Sequence, residues 1–306
     1  MREGPPTLFA ERFPWLLDLV RLLRGYPRIV VPPGKYAALL EYPPHCESRW
    51  GHGRPSHPEL TRIIDGSRAR YASVLRSFLP LADELAGIPR SADLANPTMP
   101  HWGNDWLPDL DGLAIYAWLA LAERHLYLEV GSGNSTKFAR RAVTARNRRT
   151  HIVSIDPHPR VEIDAICDEV IRSPLQDVDL RLFDRLGPGD VLFIDNSHYA
   201  FMGSDVTVLL FDVLPRLKPG VLVGVHDFFL PDDYPPNWQR RFYNEQYLLG
   251  CWLLGGGRGM EIILPAWFAS NDRELSAIIA PLQTSGGMAG RKHWGSALWF
   301  EVTPRL

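Results

Sequence analysis

The sequence predicts an α/β fold: a seven-stranded, mostly parallel sheet with helices on both faces, preceded by an N-terminal helical cap. Three observations point there. From about residue 110 onward, segments with helical apolar spacing alternate with short apolar runs, the order that builds parallel βαβ units. The glycine-rich stretch "EVGSGNST" follows one such run and precedes a helical segment. Gly or Pro punctuation such as "LKPG" and "GGGRG" separates several units.

In order, residues 110–124 carry apolar side chains at helical spacing and 125–130 form a short buried strand. The alternation continues with a helix at 135–147 and strands at 151–156, 168–173 and 191–195. A helix at 204–217, a strand at 221–227 and a helix at 240–254 come next. A strand at 260–265, a helix at 271–282 and a last strand at 295–303 complete seven strands. The first hundred residues differ. Residues 13–26 and 57–87 read as helical, separated by the Pro- and Gly-rich stretch 31–58, so residues 1–104 are expected to form a cap and 105–306 the α/β domain. The joining loop carries Trp102, Asn104 and Trp106, which line a pocket or anchor the cap.

Composition narrows the partners. With 306 residues, a formal charge of −2 and a pI near 6.6, the chain has no basic excess for a nucleic acid or an anionic membrane. Its apolar runs fall short of the roughly 20 residues that span a bilayer. A small-molecule partner is expected, with homo-oligomerisation left open. The first residues, "MREGPPTLFAERFP", lack the features of a signal peptide, which predicts a cytoplasmic protein. Cys46, Cys167 and Cys251 match neither a disulfide framework nor a zinc knuckle.

Gly131 and Gly133 lie between a strand and a helix, where a bare backbone lets a ligand approach the helix N-terminus. The Lys and the spacing of a phosphate-gripping loop are missing, which argues against ATP or GTP. A dinucleotide fingerprint would place a third Gly at position 136, which is Thr136. Glu129, two residues before Gly131, is placed to meet an ammonium or a hydroxyl. Asp156 ends the next strand, from which a carboxylate reaches ribose hydroxyls.

These residues resemble the class I S-adenosylmethionine-dependent methyltransferases, whose fold is Rossmann-like. "YLEVGSGNSTKFA" looks like their first motif, "SIDP" their second-strand acid, and "PLQDV" and "VLFIDNSH" their third and fourth. "EVGSGNST", "IDNSH", "GVHDFFLPDDYP" and "FYNEQYLL" are similar to a bacterial, methyltransferase-24-like subfamily. The resemblance covers about residues 105–306 and implies an antiparallel seventh strand. Ser135 stands where many members have a third glycine. By resemblance, S-adenosyl-L-methionine is the cofactor. Gly131, Gly133, Ser135 and Thr136, with Ser132 and Asn134 between them, hold its methionine part, Asp156 the ribose, and Gln176 and Asp177 lie near adenine; Glu129 and Asp195 are also expected to contact the cofactor.

Asp195 and His198 follow one strand, and His226 and Asp227 end the next, at the sheet edge where ligands bind in open α/β sheets. Two roles fit. His198 or His226, with Asp227, acts as a base that removes a proton from a hydroxyl acceptor. Alternatively, Asp195, His226 and Asp227 hold a divalent metal, as in some O-methyltransferases of this class. Imidazole at 226 suits Mn²⁺, Fe²⁺ or Zn²⁺ better than Mg²⁺. Tyr234, Trp238, Tyr243 and Glu245 are expected on the acceptor wall, Tyr247, Leu248 and Trp252 in the core, and Asp232 and Asp233 in a solvated loop. The expected reaction is O-methylation of a small polar acceptor of sugar or natural-product type. Nitrogen is the alternative acceptor atom. A non-catalytic cofactor-binding partner and an NAD-dependent oxidoreductase are the rival classes.

Overall fold

The computed structural model describes residues 46–304. The helix expected over 13–26 lies outside them. Three helices come first: α1 (Pro58–Asp65), α2 (Arg68–Phe78) and the short α3 (Ala82–Ala86). One continuous helix was expected here; Gly66 and Ser67 interrupt it, and Pro80 turns its third segment into a tight 3₁₀ turn over Leu79–Leu81. These helices bury Leu60, Ile64, Tyr71, Leu75, Phe78, Leu81 and Leu85 in the same apolar core as the sheet.

The α/β part runs α4 (Asp109–Leu121), β1 (Leu126–Val130), α5 (Asn134–Ala145), β2 (His151–Ile155), β3 (Glu169–Ile171) and β4 (Val191–Ile194). It continues with α6 (Asp205–Val208), β5 (Leu222–Val225), α7 (Glu245–Leu254), β6 (Met260–Pro265), α8 (Ala266–Asn271), α9 (Arg273–Ile279) and β7 (Leu298–Val302). The strand order is β3-β2-β1-β4-β5-β7-β6. β1 to β5 pair in parallel, and β7 runs antiparallel to β5 and β6. This is the Rossmann-like, mostly parallel seven-stranded sheet that the sequence predicts. Every residue of β1, β4 and β5 is buried, as expected of strands covered on both faces.

Three expected helices differ in the structure. The one at 204–217 is a single α-turn followed by a wide π-type turn (Leu209–Val213) and a 3₁₀ turn (Leu214–Arg216), because Pro215 has no amide proton to continue it. The one at 240–254 begins only at Glu245: Pro235 and Pro236 lead into a 3₁₀ segment, and Phe242 adopts a left-handed φ of 56°. The one at 271–282 is α9 followed by a 3₁₀ turn at Pro281, and α8 precedes it unforeseen.

Strand register places the site. Val130 pairs with both Ile155 and Ile194, and Ile194 pairs with Val225. The next residues, Gly131, Asp156, Asp195 and His226, therefore leave the sheet side by side. The backbone ladder carries on through them: Gly131 donates to the Ile155 carbonyl, Asp195 to Val130 and His226 to Ile194, each at 2.8 Å.

Candidate active site

A cleft of about 420 Å³ opens along this edge. Gly131, Ser132, Asp156 and Gln176 line one end, and Asp195, His198, His226 and Asp227 the other. Asn104 and Trp106 from the joining loop border it, while Trp102 is buried against Phe138 at 4.9 Å between ring centroids and anchors that loop.

At the first end, Asp156 is held by two amides. Ser132 N donates to its Oδ2 at 2.8 Å and His158 N to its Oδ1 at 2.7 Å. The carboxylate thus faces the cleft in a fixed orientation. Gly131 has a φ of +77°, and a Cβ there would lie 1.8 Å from the Asp195 carbonyl oxygen. What approaches this glycine is the end of β4, where the sequence suggested a ligand. A Cβ on Gly133 would meet only Val161, at 3.7 Å.

Glu129 points away from the cleft. It is fully buried and accepts hydrogen bonds from Ser135 Oγ (3.2 Å) and Thr136 Oγ1 (2.5 Å), and the Gly133 amide donates to Thr136 Oγ1 at 3.0 Å. Burial pushes its carboxyl up to about 7, against the pull of the hydroxyls. Glu129, Ser135 and Thr136 therefore brace the turn from beneath. Asn134 borders a neighbouring depression with Lys137, and Asp177 another with Arg181 and Arg185. Of the first-end residues named from the sequence, Gly131, Ser132, Asp156 and Gln176 border the cleft itself.

At the second end, His198 is buried in a left-handed conformation (φ 62°). Its Nδ1 lies 3.0 Å from Glu245 Oε2, and its Nε2 3.3 Å from Asp195 Oδ1 and 3.4 Å from Asp227 Oδ2. Asn196 closes the arrangement: its Nδ2 donates to Glu245 Oε1 (2.9 Å), and its Oδ1 accepts from the His198 amide (2.9 Å). His226 Nδ1 is 3.2 Å from Asp195 Oδ1 and 3.5 Å from Asp227 Oδ1, and its Nε2 is 3.5 Å from Asp111 Oδ2. Asp111 is fixed in turn by the amides of Ser296 (2.7 Å) and Ala297 (3.0 Å).

Burial alone would lower both imidazoles. The surrounding carboxylates outweigh it: Asp195, Glu245 and Asp227 raise His198 well above its ordinary value, and Asp227, Asp195 and Asp111 do the same for His226. Asp195 shows the converse, with burial pushing it up and His226 and His198 more than reversing the effect, so it lies below the usual carboxylate range. Four carboxyl groups thus surround two imidazoles.

The sequence reading missed three features. Glu245 is the buried partner of His198 and not an acceptor wall; its only signal was an acid at the start of an apolar helix. Asp111 was visible as a carboxylate inside an apolar helical run. Ser296 had no signal. Asp233 is buried, accepting from the Arg49 and Trp50 amides and the Tyr247 hydroxyl, and Asp232 accepts from Trp267 Nε1, so this pair clamps chain segments together. Tyr247, expected in the core, is 40% exposed. Trp238 and Tyr243 do line the cleft.

Sheet order, glycine turn and strand-end acid together are those of a Rossmann-like methyltransferase fold. Residues 128–228 match the family described as a methyltransferase domain, of the methyltransferase-24 kind. No curated protein matches the chain. Among solved structures, an SAH-bound methyltransferase of Podospora anserina is similar at 15% identity, covering 61% of this chain and 81% of that one, with a TM-score of 0.33. The plantazolicin methyltransferase in complex with SAH is similar at 12% identity, over 80% of this chain and all of that one (100%), with a TM-score of 0.42. A cofactor-bound protein from MTB gives 16%, 81%, 98% and 0.30 in the same order.

Proposed function

We propose that the protein transfers a methyl group from S-adenosylmethionine to an oxygen of a small-molecule acceptor, with His198 taking the proton. One observation carries this reading: a single cleft joins the Asp156 end to the His198 cluster. When bound, the cofactor supplies an electrophilic methyl on a sulfonium. Asp156, oriented by two amides, suits ribose hydroxyls, with Gln176 beyond it and the Gly131–Ser132 backbone beside it. His198 Nε2 lies between Asp195 and Asp227, and Glu245 supports the opposite nitrogen, the layout of a base held by an orienting acid. The surrounding carboxylates favour the protonated ring, so His198 must first release its own proton to water before it can take that of the acceptor. A nitrogen acceptor that is already neutral would not need His198.

A second reading has its own observation. The ligand atoms of Asp195, His198 and Asp227 lie within 4.8 Å of one another. Among the described residues this trio, with His198 in place of the expected His226, is the set placed to hold a divalent ion; His226 turns its Nε2 toward Asp111. Two carboxylates and one imidazole suit Mn²⁺, Fe²⁺ or Zn²⁺ better than Mg²⁺. Such an ion would lower the pKa of a bound hydroxyl.

Calorimetric titration of metal-stripped protein with S-adenosylhomocysteine, with and without Mn²⁺ and with NADH as a control, tests both. Saturable binding of S-adenosylhomocysteine is expected. A preference for NADH would overturn the reading, and unchanged heats on adding Mn²⁺ would remove the metal.

A further inference from the structure

The cluster around His198 is polar, but the surface leading away from it is aromatic. The Tyr243 ring lies 4.5 Å from the His198 ring, Tyr199 5.5 Å from Tyr243, and Phe201 5.4 Å from Tyr199, the last pair parallel to within 2°. Trp238 packs edge-on against Tyr243 at 5.8 Å. The Arg241 guanidinium lies over this group, its Cζ 3.8 Å from the Trp238 centroid and 5.5 Å from that of Tyr243. Trp238, Arg241 and Tyr243 line the cleft. Tyr199, Phe201 and Met202 lie beyond the cleft lining; Phe201 is 54% exposed and Met202 fully exposed.

Single exposed apolar side chains need no explanation. Here they end an unbroken series of ring contacts that starts at the proposed base. The series is also fixed in place. Tyr199 Oη donates to the Arg241 carbonyl (2.7 Å), Ala200 N to Asn244 Oδ1 (2.7 Å), and Asn244 N to the His198 carbonyl (3.0 Å). Preformed planar surfaces lower the cost of ordering a ligand and favour flat rings that stack on them. A guanidinium stacked on tryptophan extends such a surface without breaking it. A sugar would leave Phe201 and Met202 unused.

We infer that the acceptor is a flat, largely apolar molecule bearing a hydroxyl, of the phenol or naphthol class, its hydroxyl reaching His198 while its ring packs on the face of Tyr243 and edge-on to Tyr199 and Phe201, the plane of Tyr199 being turned by 84° from that of Tyr243. This inference rests on the methyltransferase reading above. It refines the polar acceptor expected from the sequence: the polarity belongs to the reacting group and the body is aromatic.

The test uses full-length protein saturated with S-adenosylhomocysteine, titrated with naphthol as the aromatic probe and methyl glucoside as the sugar probe. Wild-type protein should bind naphthol and not the glucoside. The double variant Phe201→Ser, Met202→Ser, at two exposed positions outside the catalytic cluster, should bind naphthol at least about fivefold more weakly, with S-adenosylhomocysteine affinity unchanged. Equal naphthol affinity in variant and wild type overturns the aromatic track, and so does tighter binding of the glucoside in wild type. Failure of wild-type protein to bind S-adenosylhomocysteine overturns the underlying methyltransferase reading instead.

Discussion

Replacing Glu129 by Gln should make the protein more stable at alkaline pH. The carboxyl is completely buried beneath the glycine turn, and burial raises its pKa from 4.5 to about 7. For an acid raised on folding, the folded state holds its proton more tightly than the unfolded chain. The penalty is absent below about pH 4.5, grows as the pH rises, and is complete above about pH 7. At 1.36 kcal/mol per tenfold change, that interval amounts to about 3 kcal/mol, undiminished by solvent because the group is fully enclosed. A glutamine keeps the oxygen that accepts from Ser135 and Thr136 but has no charge to bury. Urea unfolding of wild type and Glu129→Gln, at intervals from about pH 5 to about pH 8.5, gives a difference in which every other titrating group cancels. The variant should gain on wild type by about 3 kcal/mol across that range, nearly all of it by about pH 7.5. Two parallel profiles would show that Glu129 is ionised in the folded protein at all these values, and the reasoning would fail.

Three further outcomes follow from the site. His198→Asn should lower methyl transfer by about 100- to 10,000-fold, the usual contribution of a positioned base, while S-adenosylhomocysteine binds within about twofold of wild type; a nearly active variant would rule out the base. Asp156→Ala removes the carboxylate that the Ser132 and His158 amides orient, and calorimetry should find S-adenosylhomocysteine bound about 10- to 100-fold more weakly. Undiminished affinity would mean the ribose is held elsewhere. Gly131→Ala forces a methyl into the Asp195 carbonyl in a left-handed backbone and should cost at least about 3 kcal/mol, read as a large fall in melting temperature. An unchanged melt would contradict that contact.

The sheet was legible because its signal is strong and local. All seven strands read as apolar runs bounded by turn residues, and their order of appearance is that of parallel crossovers. The glycine turn and Asp156 were legible for the same reason, since both sit at strand ends that the pattern locates. Helix interruptions were less so: the 3₁₀ and π-type turns around Pro215 and before Asn244 depend on backbone geometry that spacing does not encode. The meeting of four chain segments was legible only for the adjoining strand ends that carry His198 and His226; that Asp111 and Glu245 join them was not. Asp111, His198, His226 and Glu245 are spread over more than a hundred residues, and only the fold brings their charges within hydrogen-bond reach. Glu129 was legible as an acid that meets hydroxyls, but that these belong to Ser135 and Thr136 of the turn itself was not.

The contact between Gly131 and the Asp195 carbonyl has a consequence for remodelling the protein. It keys the cofactor end of the cleft to the catalytic end through bare backbone, so neither can drift without the other. Changes of substrate preference therefore have little room along the sheet edge, where any side chain added at 131 disturbs both functions at once. The loop from Phe201 to Gly203, where a Cβ on Gly203 would meet nothing within 4 Å, carries no such constraint. Libraries aimed at new acceptors should be built there, with the strand ends left untouched.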